Sequence, residues 1–474
     1  YQGSGAGLKL APVKASLLDG SMTGNLDIDW RHGMALRGEF DGRNLNPARI
    51  TPDWQGVANF TAGGELAWAK AAPLTGKLSA VLQESRLHGQ SLTGALQADF
   101  AGDHLSLARL ELQGKGFDLH ASGELNQRLT LAAQISDFSK LVPGAAGTLR
   151  SEGWVRWRDR RLSGAISGTG SHLTYADTRI GGANLAARLD QGGDSPLHIT
   201  ANLKDVVYNT YKLQAVNLLA DGTLARHTVK ATIRAADAEA RLALAAGYQA
   251  GSWAGEISRL DGREPGGAWS MAAPTDFTIS AGKFVLSPLV LTAGAAERLE
   301  VAADLGLKPL AGQARAQWAG LNLARANPYL KGLRISGSSH GEAQIGFLPD
   351  RQLTLAGEIN GRGTLVGHDR STTFQSILLT FTGNQQGLRV GVELSTADGG
   401  RVQGSYAAAA PLRLAWPEGG DLAAELSGID LALLNPWLPP DTRLAGRLSG
   451  QAKGLLLPGQ RLELDGDAVL AGGS

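Results

Sequence analysis

Cysteine is absent from the 474-residue chain, so it offers no disulfide framework, no thiolate metal site and no cysteine nucleophile. That absence leaves the compartment open, since cytosolic and many periplasmic proteins share it. A surplus of either charge is missing too. The 45 Lys and Arg stand against 44 Asp and Glu, and a net charge of +1 gives no field that would hold a polyanion, which excludes nucleic acid as a general partner. No run approaches the roughly 18 apolar residues of a membrane span. The first ten residues, Tyr1 to Leu10, lack the basic-then-apolar layout of a signal peptide. The chain starts without Met and stops in a strand-like pattern at Ala468 to Leu470, so it reads as a fragment whose anchor or targeting segment lies outside it.

What is present is glycine, 64 residues or about twice the usual share. Proline is ordinary, which excludes collagen, and 43% apolar residues exclude wholesale disorder. The dominant period is two. Leu388, Val390, Val392 and Leu394 alternate with Arg389, Gly391 and Glu393, and Leu299, Val301, Ala303 and Leu305 alternate with Glu300, Ala302 and Asp304. The same pattern runs through Leu197, Ile199, Ala201 and Leu203, through Val229, Ala231 and Ile233, and through Leu26, Ile28 and Trp30. It returns at Leu105 and Leu107, at Leu129, Leu131, Ala133 and Ile135, and at Leu462 and Leu464. Such runs give a strand one apolar and one polar face. In the Ala-rich stretch Ala235 to Ala246, Leu242 and Leu244 keep this period, so it too reads as strand.

Asp41-Gly42, Gly63-Gly64, Asp221-Gly222, Asp261-Gly262 and Asp398-Gly399-Gly400 read as the hairpin turns between strands, and Asp465-Gly466-Asp467 as another. On that spacing the chain holds some 35 to 40 strands, counted at about 4.8 Å apiece, in an antiparallel meander. One insertion recurs. Leu323 to Leu330, with Asn327-Pro328, is echoed by Leu431 to Leu438, with Asn435-Pro436, and each leads to glycines four apart, Gly337/Gly341 and Gly446/Gly450. Weaker copies lie at Leu45-Asn46-Pro47 and at Phe138 to Pro143. Proline after a capping-type Asn suits a short helical turn over a sheet end. These insertions divide one continuous segment, 1–474, into weak units near 45–137, 138–322, 323–430 and 431–474.

Most chemical motifs dissolve on inspection. Gly337-Ser338-Ser339-His340-Gly341 matches G-x-S-x-G but lacks the helix that a nucleophile elbow needs. The nine His, at 32, 88, 104, 120, 172, 198, 227, 340 and 368, never fall in metal-ligand spacing. Gly361 to Gly367 misses the dinucleotide fingerprint by one position, and no P-loop occurs. In the basic-aromatic cluster Trp154 to Arg161, alternation puts Arg156, Arg158 and Arg160 on one face, which reads first as a solvated strand surface. No cofactor, metal or enzymatic activity is expected.

Rows of Leu, Val, Ile and Ala on so many strands must be covered by protein or by something else. A self-packed β-solenoid would show fixed repeats of about 20 to 30 residues, and an outer-membrane barrel would show aromatic girdles. The longer, irregular spacing here counts against the first and the 27 aromatics, unordered at strand ends, against the second, while periodicity alone leaves a structural or adhesive solenoid with a self-packed core open.

A more specific signal is Trp253-Ala-Gly255-Glu-Ile257-Ser-Arg-Leu260-Asp-Gly262, followed by Gly267-Ala-Trp269, Pro274 and a new strand from Phe284 to Leu289. This W-x-G-x-I-x-x-L, G-x-W series resembles the mid-chain signature of the TamB family, and the Leu-x-x-x-Asn-Pro-x-Leu units are similar to TamB-type and wider AsmA-like repeats. Where many members carry a Cys-containing segment, this chain has Leu289-Val290-Leu291. The resemblance implies an all-β, elongated antiparallel groove, a curved sheet with a hydrophobic concave face and a few short helical turns. It implies a periplasmic segment of a protein anchored in the inner membrane, carrying phospholipids between the two membranes and linked to outer-membrane protein assembly through an Omp85-type, TamA-like barrel. By parity the residues lining the groove are Leu105, Leu107, Leu129, Leu131, Ile135, Leu197, Ile199, Leu203, Val229, Ile233, Leu242, Leu244, Leu299, Val301, Leu305, Leu388, Val390, Val392 and Leu394. A one-residue error in register would turn any of these strands inside out.

Overall fold

The computed structural model describes residues 1–69, 72–102, 104–159, 161–190, 196–330, 332–348, 352–367, 370–412, 419–438, 443–457 and 461–473. Arg160 and His368 lie outside them. Among the described residues the chain is all-β and antiparallel, with 31 strands and a few short 3₁₀ turns. It divides into two units, Tyr1–Ala236 and Asp237–Ser474.

In the first unit, sixteen strands run from Gln2–Ser4 to His227–Arg234, each hydrogen-bonded to its predecessor in the chain. The second unit, from Glu239–Gln249 to Arg461–Ala471, repeats this meander. It branches at Ser252–Glu264, which pairs with Thr275–Ser280 along its first half and with Gly267–Met271 along its last four residues. Antiparallel pairing of this kind is unlike the parallel coil of a β-solenoid.

Register fixes which residues share a face. In the first unit Leu131, Gly153, Ile166, Ala187, Ile199, Ala220 and Val229 stand side by side across seven strands. On the opposite face Lys9, Asp27, Arg37, Glu65, Lys77 and Asp99 form a row in which the sign of charge alternates at every strand. Within that row Lys9 Nζ lies 3.3 Å from Asp27 and Arg37 Nη2 lies 2.9 Å from Glu65. Each exposed pair contributes little, but a one-residue slip would set charges against apolar or glycine positions along the row, so the ladder specifies register.

The glycine dipeptides are not the hairpins that the sequence suggests. Asp41-Gly42, Gly63-Gly64, Asp221-Gly222, Asp261-Gly262 and Asp465-Gly466-Asp467 lie inside strands, and of those named only Asp398-Gly399-Gly400 is a turn. Several hairpins turn instead on two residues without a glycine signal, as at Leu18-Asp19, where both φ angles are positive, at 50° and 63°. The strands are therefore fewer and longer than the 35 to 40 expected. The Ala-rich strand likewise starts at Glu239, after an irregular stretch over 235–238.

Several internal glycines accommodate rings. A Cβ at Gly262 would fall 2.5 Å from Trp269 Cζ2, at Gly341 2.8 Å from Trp318 Cζ2, and at Gly357 2.5 Å from Phe381 Cζ. Each of these glycines stands opposite the aromatic residue that covers it. The ring lies across the neighbouring strand instead of projecting from the sheet, which keeps the apolar face level.

All four insertions form 3₁₀ turns, at Pro47–Arg49, Phe138–Lys140, Leu323–Tyr329 and Leu431–Trp437. The expected cap is right for Asn46, whose side chain accepts from Ala48 N at 3.1 Å. For the two long copies it is wrong. There the caps are Asn322 and Asp430, accepting from Ala324 N at 3.0 Å and Ala432 N at 2.8 Å. Asn327 and Asn435 instead hold the approach to the next strand, accepting from Ile335 N at 2.6 Å and Leu444 N at 2.8 Å.

Two neighbouring glycines test the packing role. At Gly357 a Cβ would also meet the Glu342 backbone carbonyl at 2.5 Å, whereas at Gly361 the nearest atom is 3.6 Å away. Gly357→Ala is expected to destabilise the fold by about 1–3 kcal/mol. Gly361→Ala is expected to be neutral, or stabilising by up to about 1 kcal/mol. Urea unfolding of the two variants side by side checks the contrast.

Candidate functional site

The solvent-accessible surface is 28840 Å² for 49.4 kDa. A compact protein of that mass exposes about 17,000 Å², and two compact halves together about 20,000 Å². The excess arises because most strands have neighbours beside them and nothing above. On the apolar face of the first unit Leu131 is 38% exposed, Ile166 54%, Leu185 46% and Ile233 41%. Leu131, Ile166 and Leu185 occupy mid-strand rows, where a second layer would have covered them, and Ile233 lies next to the end of its strand.

Register places all the residues expected to line a groove on the apolar face of their own unit. Their accessibility differs. Leu131 and Ile233 are open to solvent, whereas Leu105, Leu107, Ile199, Leu203, Val229, Leu242, Leu299, Val301, Leu305, Val390, Val392 and Leu394 are half-buried. Leu129, Ile135, Leu197, Leu244 and Leu388 are buried. Four of these five sit at strand ends, and Leu388 packs into a small core with Leu353, Ala408 and Leu412. Burial is deepest near several strand ends, although Ile233, also next to a strand end, is open.

Parity from sequence misses Ile166 and Leu185. The strand Arg161–Tyr175 presents Gly164, Ile166, Gly168 and Gly170 to the apolar face, so glycine hides the alternation. Sequence parity misses Phe277, whose six-residue strand follows the irregular segment after Met271, and Leu286, beyond which the register of its strand shifts before Leu289.

The Trp253–Trp269 series is one continuous patch of the second unit's apolar face. Trp253 meets Phe277 edge-on, with centroids 4.9 Å apart at 68°. Gly255 stands between Ala246 and Phe277, Ile257 between Leu244 and Thr275, Leu260 opposite Leu242, and Trp269 over Gly262. The spacing from Ile257 to Leu260 breaks strict alternation because the register shifts between Ala243 and Leu244, which restores both residues to one face.

An ion cluster fixes this patch to the helical turn that follows it in the sheet. Arg325, on the turn Leu323–Tyr329, pairs with Glu264 and also with Glu297, whose Oε2 is 2.6 Å from its Nε. All three side chains are largely buried, at 17%, 21% and 16% exposure. The Arg325 hydrogen bond holds the Glu297 carboxyl below the ordinary range. A carboxyl lowered in the fold contributes stability above its unfolded value, about 4.3, and loses it as pH falls through its lowered folded value.

The remaining motifs are accounted for by the sheet. Ser339 lies within Leu333–Phe347, is buried, and accepts from Trp318 Nε1 at 3.1 Å. Gly361 and Gly363 belong to Leu353–Gly367, with no helix opening after them. Arg156 bonds Ser163 at 3.3 Å and Asp190 at 3.4 Å, and Arg158 is exposed. Among the described residues no group of three His, Asp or Glu side chains is arranged to hold a metal, and no helix is long and apolar enough to cross a membrane.

Arg325→Met is expected to cost about 1–3 kcal/mol at neutral pH, the value of lost hydrogen bonds to charged groups. It is also expected to flatten the acid limb of stability below about pH 4.3. Thermal unfolding of wild type and variant across pH 3 to 7, compared at each pH, checks both effects.

The uncovered apolar rows, the ring-over-glycine packing and the Trp253–Trp269 patch make up the candidate site. A family model, the TamB N-terminal domain, matches residues 1–414. With that match over 414 of the 474 residues, the chain belongs to the TamB family.

Proposed function

We propose that the apolar face of each unit carries the acyl chains of phospholipids, as a segment of a non-enzymatic periplasmic conduit between inner and outer membranes. The observation that carries the reading is the exposure of mid-row aliphatic residues such as Leu131, Ile166 and Leu185. A row of like residues from strand to strand lets an acyl chain move sideways with little change in buried area. Leaving the row exposes it at about 0.8 kcal/mol per CH₂. The face thus guides lipid without a single tight site, and head groups stay in water. Family membership supports the periplasmic setting, and the link to outer-membrane protein assembly through an Omp85-type, TamA-like barrel belongs to the same proposal.

Native mass spectrometry with lipid extraction tests it. The wild-type chain is expected to co-purify phospholipid, and Leu131→Asp/Ile166→Asp, at positions already exposed, is expected to lose most of it while circular dichroism stays unchanged. A lipid-free wild type, or a folded variant that keeps its full complement, would overturn the reading.

A further inference from the structure

The branch at Ser252–Glu264 has a second consequence, on the face opposite the Trp253–Trp269 patch. There it opens a hollow of about 840 Å³. Two polar rows bound it. One runs through Arg241, Asp261, Ser270 and Thr292, and the next through Glu239, Arg263 and Ala268. Residues with small side chains, Ser270, Thr292 and Ala268, keep one side low, and guanidinium groups form the other.

The charge there is unbalanced. Three arginines, Arg241, Arg259 and Arg263, face two carboxylates, Glu239 and Asp261. Arg241 gives its Nε to Glu239 Oε1 at 2.5 Å, and its Nη1 stays 4.0 Å from Asp261. Arg259 gives its Nε to Asp261. Both therefore keep terminal N–H groups available, and Arg263 has no ion pair within 4 Å among the described residues. A guanidinium fork fits the paired oxygens of a phosphate better than any single charge does.

We propose that this hollow is an anion site for a phosphate group, gripped by Arg241 and Arg263 with the Ser270 hydroxyl as a further donor. The site is on the polar face and stands apart from the acyl-chain reading. The shared chemistry is a phosphoryl group carrying at least one negative charge, either free phosphate or the diester of a lipid head group.

Isothermal titration calorimetry on the whole chain tests the site with two probes that carry no acyl chain, inorganic phosphate and glycerophosphocholine. Saturable binding of phosphate alone would assign the free anion, and binding of glycerophosphocholine would assign the head-group diester. Either result supports the site if Arg263→Gln and Arg241→Gln each weaken it about ten- to a hundredfold, the loss expected for a charge-assisted hydrogen bond, while Arg401→Gln, in a strand remote from the hollow, leaves it unchanged. Absence of binding by both probes overturns the proposal. So does equal loss in all three variants, which would mean general counter-ion attraction. Because neither probe has an apolar tail, failure here leaves the lipid-carrying face untouched.

Discussion

Antiparallel register is the constraint on which the rest depends. A strand has two faces, and which residues share a face with those of the next strand is decided entirely by how the two are aligned. Alternation within one strand makes it amphipathic, but only aligned alternation makes a row. The ladder from Lys9 to Asp99 fixes this alignment on the wet side by opposing each charge with its counter-charge. Further along the same unit, in strands the ladder does not reach, aligned alternation gives the row from Leu131 to Val229 on the other side. Aliphatic side chains half-buried by lateral neighbours, with no layer above, are what an aligned sheet leaves when it carries its apolar face uncovered.

Glycine supports the same end. In a turn-rich protein, Asp-Gly and Gly-Gly are ordinarily punctuation, and that expectation misplaced most of the hairpins. Gly262, Gly341 and Gly357 are where they are because a ring from the adjacent strand occupies the space of their side chain. Large residues would otherwise stand up as ridges. A sheet with few aromatics and many glycines can keep each ring flat, and the apolar surface then changes little in height from one strand to the next. At these positions glycine serves the surface and not a loop.

Much of this was legible in the sequence. The two-residue period gave the strand class and, strand by strand, the face on which Leu197, Val229, Leu299 and Val392 lie, because pleating makes parity a local property. What was not legible is what depends on neighbours. Ile166 was invisible because glycines flank it on its own face, and the depth of Leu388 is set by Leu353, Ala408 and Leu412 from other strands. The cap of each long helical turn was misassigned for a similar reason. Asn327 looks like a cap by sequence, yet its carboxamide is taken by the backbone of a strand eight residues on. In the Trp253–Trp269 series the residues were found, and the shift in register that brings Ile257 and Leu260 to one face was not.

The helical turns carry a last consequence. In the first unit they follow the fourth and the tenth strands, and in the second Leu323–Tyr329 and Leu431–Trp437 are likewise separated by six strands. Six is even, so each turn returns to the same edge with the chain running in the same direction and the same face apolar. A block of six strands advances a sheet by about 29 Å. Such a block can be duplicated or deleted without inverting anything on either side of it. The number of strands in a sheet built this way is therefore adjustable in fixed increments, with the same face apolar throughout.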